Sequence, residues 1–172
     1  MSGSPRAMTT HSCSSPESLL SLLKNYTFFG SLPDAALEAL IRKGHVSKFS
    51  KGDVIYRRGD PGDSLMVIVA GQIKIANVNV DAKEVVLNFL GVGDINGEIA
   101  VLDGPERSAN AIALENSEVL AIYARDLIPA LTSHPQAMLK IIRLLCEKLR
   151  AVSAIVEDST LASAESRRER PA

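Results

Sequence analysis

The sequence predicts a mainly β domain, a sandwich or barrel flanked by helices and followed by one long helix. Three observations predict it. Short runs rich in Val and Ile recur from Val46 to Tyr123, broken by Gly52-Asp53, Gly59-Asp60, Pro61-Gly62, Gly93-Asp94 and Asp103-Gly104. Beyond that region Met138, Ile141, Ile142, Leu145, Leu149, Val152 and Val156 trace one stripe at helical spacing. The chain has 172 residues, 46% hydrophobic and 23% charged, enough for one domain with a real core.

Each element follows from local signals. Residues 1–17, rich in Ser, Thr and Pro without an apolar core, read as a disordered leader rather than a secretory signal. Ser18 to Lys24 carries four leucines and predicts a short helix. Leu32-Pro33-Asp34 starts a second helix that runs over Ala35 to Lys43, with Leu37, Leu40 and Ile41 on one face and Gly44 as its stop. Strands are predicted at 46–50, 54–57, 64–70, 72–79, 84–90, 108–114 and 118–123, with Gly71 as a hairpin turn. Arg125 to Leu131 predicts a short helix stopped near His134-Pro135. A long helix follows over 136–157. It is apolar on more than one side, because Leu139, Leu144 and Ile155 lie off the main stripe, so one side can cover the barrel and another can meet a partner helix. This organises the chain as a body at 18–134, a long helix at 135–158 and a polar, basic tail at 159–172.

Composition excludes several function classes. A net charge of −1 gives no global drive toward nucleic acid, and three arginines in the tail are too few to read a groove. Cys13 and Cys146 suggest no disulfide framework, which points to a reducing cytoplasm. No apolar run approaches the ~20 residues of a membrane span. His11, His45 and His134 are scattered, with neither metal-ligand spacing nor a nucleophile beside them, so an enzyme is not expected and no metal or cofactor is implied.

The most informative stretch is GEIAVLDGPERSA, residues 97–109. Gly97 lets backbone approach a ligand closely, and the residues after it can form a short helix. Arg107 offers a planar fork of donors to phosphate oxygens, Ser108 adds a hydroxyl, and Glu98 can accept from a ribose hydroxyl. Such a set can hold a phosphate and a sugar together.

At these residues the chain resembles the cyclic-nucleotide-binding domains of the catabolite activator (CRP/FNR) family. KGDVIYRRGDPGDSLMVIVAGQIKI (51–75) and KEVVLNFLGVGD (83–94) extend the resemblance from about Asn25 to Asp158. The resemblance implies a double-stranded β-helix, a jelly-roll-like β-roll, closed by a long C-terminal dimerisation helix. It implies cyclic AMP or cyclic GMP, or a related anionic small molecule, as ligand. Arg107 and Ser108 would hold the phosphate. Gly97, Glu98, Ile99 and Ala100 would turn toward it, with Glu98 on the ribose 2′-hydroxyl and Ala109 closing the cassette. Ile75 and Val86 would line the base, and Lys148, Val152 and Ser153 would reach in from the long helix. Partners implied are a second copy, through the 136–157 helix, and DNA only if a longer native chain carries a helix-turn-helix domain.

Three departures qualify the carry-over. Asn96 stands where the family has an apolar or aromatic residue. Glu106 precedes Arg107 where many members have proline. Val152 stands where the catabolite activator has threonine, and a valine cannot hydrogen-bond a base. The rival reading is a dimerising scaffold with a vestigial pocket, in which Glu106 holds Arg107 in an internal ion pair, or a sensor of another anionic effector.

Overall fold

A computed structural model describes residues 15–26, 28–79, 81–104 and 106–168, with side chains of the last helix as far as Ser153. Expectations for residues 1–14 lie outside them. The elements run α1 (Pro16–Tyr26), a 3-10 turn (Phe28–Ser31), α2 (Asp34–Lys43), β1 (His45–Phe49), β2 (Val54–Tyr56), β3 (Ser64–Ala70), β4 (Ile73–Val78) and β5 (Glu84–Leu90). They continue with β6 (Ile95–Asn96), α3 (Glu98–Leu102), β7 (Asn110–Ala113), β8 (Ser117–Tyr123), α4 (Ala124–Ser133) and α5 (Pro135–Arg168). The strands pair antiparallel in two four-stranded sheets, ordered β1-β8-β3-β6 and β2-β7-β4-β5. Apart from the consecutive pair β4 and β5, neighbours in each sheet come from distant parts of the chain, which is the wrapping of the β-roll.

Burial explains why β3 is an unbroken apolar run. Leu65, Val67 and Val69 point to one face, where they meet Leu19, Leu23, Phe29, Leu37, Leu40, Leu127 and Ile141 of the helical layer. Ile68 points to the other face and packs between the sheets with Ile73, Ile75, Leu90, Ala111 and Val119. The first sheet is therefore covered on both sides, and its central strands lose the polar alternation of a half-exposed sheet. The second sheet ends in β5, where six of seven positions are exposed.

The ends of α2 follow its sequence. Asp34 sits in the first turn and Arg42 and Lys43 in the last, matching the helix dipole. Gly44 stops the helix, but not by a left-handed cap: its φ is −71° and its N–H donates to the carbonyls of Leu40 and Ile41. A glycine is needed there because a Cβ would lie 2.8 Å from Leu120 Cδ1 and 3.0 Å from Ala121 O.

Two boundaries correct the sequence reading. Pro16 and Glu17 belong to α1 rather than to the leader. Helix α5 continues to Arg168, past the expected end near Glu157 and through most of the segment read as a tail. That segment contains Ala, Leu, Ser and Glu with no Gly or Pro before Pro171, so nothing local stops the helix. The predicted stripe of α5 also divides. Ala137 and Ile141 are buried on the body, with Met138 and Leu144 packed beside them, whereas Leu139, Ile142, Leu149 and Val152 are exposed.

Two short pairings place the segment that begins at Gly97. Strand β6 pairs with β3 through Met66↔Asn96 and Val67↔Ile95, which sets the chain at Gly97 beside the first sheet. On the return, the Arg107 N–H donates to Asp60 O at 2.9 Å and the Gly59 N–H donates to Arg107 O at 2.9 Å.

Candidate ligand site

Gly97 has φ +89°, the left-handed region that favours glycine, and leads directly into α3. Its missing side chain makes room for Arg107: a Cβ would lie 2.1 Å from Arg107 Nη1 and 2.9 Å from Ser64 O. Within α3, Ala100 packs against Gly62, where a Cβ would come 2.3 Å from that of Ala100, and Ile99 faces outward. The short helix is thus fixed by small residues on both sides.

Arg107 is only 4% exposed. Its Nη1 donates to Ser64 O at 2.8 Å and its Nη2 to Ser64 Oγ at 3.0 Å. Its guanidinium carbon stands 4.5 Å from the centroid of the Tyr56 ring, a cation–π contact in a dry setting. Burial lowers the Arg107 pKa, opposed by Tyr56, Asp63, Asp60 and Glu98. The guanidinium stays charged at neutral pH. Burial pushes the Tyr56 phenol up to about 12; Arg107 pulls it down and Glu98 pushes it further up. The phenol is therefore neutral and protonated.

Glu98 is 3% exposed. Its Oε1 accepts from Lys148 Nζ of α5 at 2.5 Å, while its Oε2 is buried without a hydrogen-bond partner. Arg107 Nε is likewise buried and unpartnered. The two residues that carry these orphaned atoms border one small hollow of about 20 Å³. Tyr56, Asn96, Gly97 to Ala100, Arg107 and Ser108 line it.

The hollow does not gather every residue proposed from sequence. Gly97, Glu98, Ile99, Ala100, Arg107 and Ser108 come together, and Lys148 reaches them through Glu98. Ser108 is exposed, and its carbonyl accepts from Asn77 Nδ2 at 3.2 Å. Ile75 and Ala109 are buried between the sheets. Val86 is not beside Ile75. Leu87 is an extra residue in β5, so Ile75 pairs with Asn88 and Val86 pairs with Ala76, which puts Val86 on the opposite face. From α5, Val152 is exposed and Ser153 Oγ donates to Leu149 O of its own helix, so neither borders the hollow. No ion pair joins Glu106 to Arg107 among the described residues; Glu106 is exposed, and Ser64 takes the guanidinium instead.

Sequence reasoning missed Tyr56 and Ser64. Neither carried a signal in the sequence, since their roles depend on where Arg107 arrives from the far side of the loop.

The cyclic nucleotide-binding domain family matches residues 46–134, just over half of the chain. The cyclic AMP receptor protein of Thermus thermophilus is 31% identical over 102 residues, which are 59% of this chain and 47% of that protein. Among solved structures, the Thermus thermophilus catabolite activator protein superposes with TM-score 0.69 at 26% identity, over 77% of this chain and 62% of that one. The N-terminal domain of a transcriptional regulator from Streptomyces coelicolor A3(2) superposes with TM-score 0.62 at 27% identity, over 78% of this chain and 94% of that one. This chain thus spans about half the length of the Thermus receptor that it matches. With the β-roll, the glycine-led α3 and the buried Arg107 in their places, the chain belongs to the cyclic nucleotide-binding domain family.

Proposed function

We propose that this domain binds a cyclic nucleotide between α3, Arg107 and α5, and that binding biases how α5 meets a second copy. The observation that carries the reading is the pair of orphaned atoms. An unsatisfied buried carboxylate oxygen and guanidinium N–H each cost about 1–3 kcal/mol or more. A ligand with a ribose hydroxyl for Glu98 Oε2 and a phosphate for Arg107 relieves both. Ser108 supplies a further donor, and no bond is broken.

The hollow is smaller than the ~300–1,000 Å³ of ordinary small-molecule sites, so binding opens it. The Glu98–Lys148 pair is the contact that yields. Because Lys148 belongs to α5, occupancy and the placement of α5 are linked, and each shifts the other only as far as their contacts differ between states. Ile142, Leu145, Leu149 and Val152 recur at a three- and four-residue heptad rhythm on the exposed side of α5, the pattern of a helix pair. A parallel homodimer is the assembly proposed, and part of a transcriptional regulator the role, as the Streptomyces coelicolor domain is of one. With Val152 unable to bond a base edge, preference between cyclic AMP and cyclic GMP falls under about tenfold.

Calorimetric titration of cyclic AMP and cyclic GMP tests the reading, with Arg107→Ala and Ser108→Ala beside the parent. Ser108 is exposed, so its variant keeps the fold. Saturable binding that both variants weaken supports the reading; no heat from folded parent protein overturns it.

A further inference from the structure

The hydrogen-bond directions around Asn96 leave one proton unaccounted for. The Gly97 N–H donates to Asn96 Oδ1 at 2.9 Å. A backbone N–H can only donate, so this bond fixes which end of the amide is oxygen. The other end, Asn96 Nδ2, therefore donates to Tyr56 Oη. Tyr56 accepts there, and no described residue accepts from its own O–H. Tyr56 is 8% exposed and borders the same hollow as Glu98 and Arg107. The phenol stays protonated at neutral pH, since burial holds its pKa far above that range.

We propose that the Tyr56 O–H is a ligand-binding donor of this site, directed to an exocyclic oxygen of the bound phosphate. The proposal rests on the nucleotide-binding reading above. It assigns Tyr56 three tasks: its ring face carries Arg107, its oxygen anchors Asn96 and through it Gly97, and its proton is kept for the ligand. Asn96, a departure from the family pattern, acquires a reason. A side chain with a donor at one end and an acceptor at the other turns the phenol proton away from the protein and toward the hollow. The class of ligand is a phosphate diester with two free oxygens. An anion lacking an oxygen acceptor at the Tyr56 position forfeits the contact.

Tyr56→Phe keeps the ring under Arg107 and removes only the donor. Affinities are measured calorimetrically for cyclic AMP and for its two phosphorothioate diastereomers, in which sulfur replaces one exocyclic oxygen or the other. The expected result is a loss of about tenfold for cyclic AMP and for one diastereomer. The diastereomer whose sulfur faces Tyr56 binds parent and variant alike. An equal loss for all three ligands marks a purely structural tyrosine and overturns the proposal, as does no loss for any. Failure of the parent to bind either cyclic AMP or cyclic GMP fells the nucleotide reading and this proposal together, whereas binding with an indifferent Tyr56→Phe fells this one alone. If Tyr56→Phe does not fold, a Tyr26→Phe/Tyr123→Phe protein labelled with 3-fluorotyrosine leaves a single fluorine probe at Tyr56. A resonance unmoved at saturating cyclic AMP then overturns the proposal, and a displaced one supports it.

Discussion

Replacing Gly97 by alanine perturbs the site at the point where backbone and guanidinium touch. Two costs add. Alanine at φ +89° meets left-handed strain of about 1–2 kcal/mol. Its Cβ would also stand 2.1 Å from Arg107 Nη1 and 2.9 Å from the Ser64 carbonyl oxygen. The guanidinium lies at the end of a flexible side chain and can be pushed aside, but it is buried and gives up both bonds to Ser64 when it moves. Hydrogen bonds from a charged group are worth about 1.5–3 kcal/mol each, of which water recovers part. The total is about 3–5 kcal/mol, on the order of 10 °C in Tm for a chain of this length. Gly59→Ala is the control: φ is +88° there and nothing lies within 4 Å of an added Cβ, so strain alone remains, about 1–2 kcal/mol. Urea unfolding followed by circular dichroism measures both. If Gly97→Ala loses no more than Gly59→Ala, the claim that Arg107 is wedged against Gly97 is wrong. A Gly97→Ala/Arg107→Ala double variant should lose less than the sum of the two singles, since they share one contact.

Three further outcomes are expected. Lys148→Ala strips the buried Glu98 carboxylate of its cation. Lys148 itself is 39% exposed, so water softens the loss to about 2 kcal/mol in denaturant unfolding, and adding Glu98→Gln should recover most of it. If α5 pairs with a second copy as proposed, the parent sediments as a dimer and Leu149→Glu, which places a charge in the middle of the exposed α5 stripe, should sediment as a monomer without lowering Tm; a monomeric parent refutes the pairing, and a variant that stays dimeric moves the interface elsewhere. Tyr56 ionises near 10 when unfolded and at about 12 when folded, so its contribution is complete below pH 10 and is lost as pH rises through 12. Parent protein should therefore lose roughly 2 kcal/mol more than Tyr56→Phe across that window.

The architecture was legible in the sequence because strands here are bounded by glycine and aspartate turns, which act locally. Seven of the eight strands lie within two residues of the predicted limits. Strand β6 was not legible: two residues carry no period, and only their pairing with β3 makes them a strand. The cassette was legible as a group, since Gly97, Glu98 and Arg107 lie close along the chain. What holds Arg107 was not, because Tyr56 and Ser64 lie 51 and 43 residues away and meet it through the topology. Val86 was misplaced for a related reason. One extra residue in β5 reverses which side chains share a face, and nothing in EVVLNFL announces it. The scaffold reading drew its force from Glu106 beside Arg107 in sequence, and adjacency proved a poor guide: the two side chains part to opposite environments.

The division of labour between the sheets has one more consequence. The Arg107 guanidinium is bonded to the first sheet through Ser64 of β3 and rests on the ring of Tyr56 at the far edge of the second, in β2. Ile75 and Asn88 pair across the last two strands of the second sheet, and β5 there is bound to a neighbour on one side only. A ligand bound at Arg107 and long enough to reach β4 and β5 would act as a clasp across the seam of the sandwich. Its binding energy reappears as slower opening of that outer strand. Amide exchange along Glu84 to Leu90 would then register occupancy more sharply than exchange at β3, an interior strand paired on both sides.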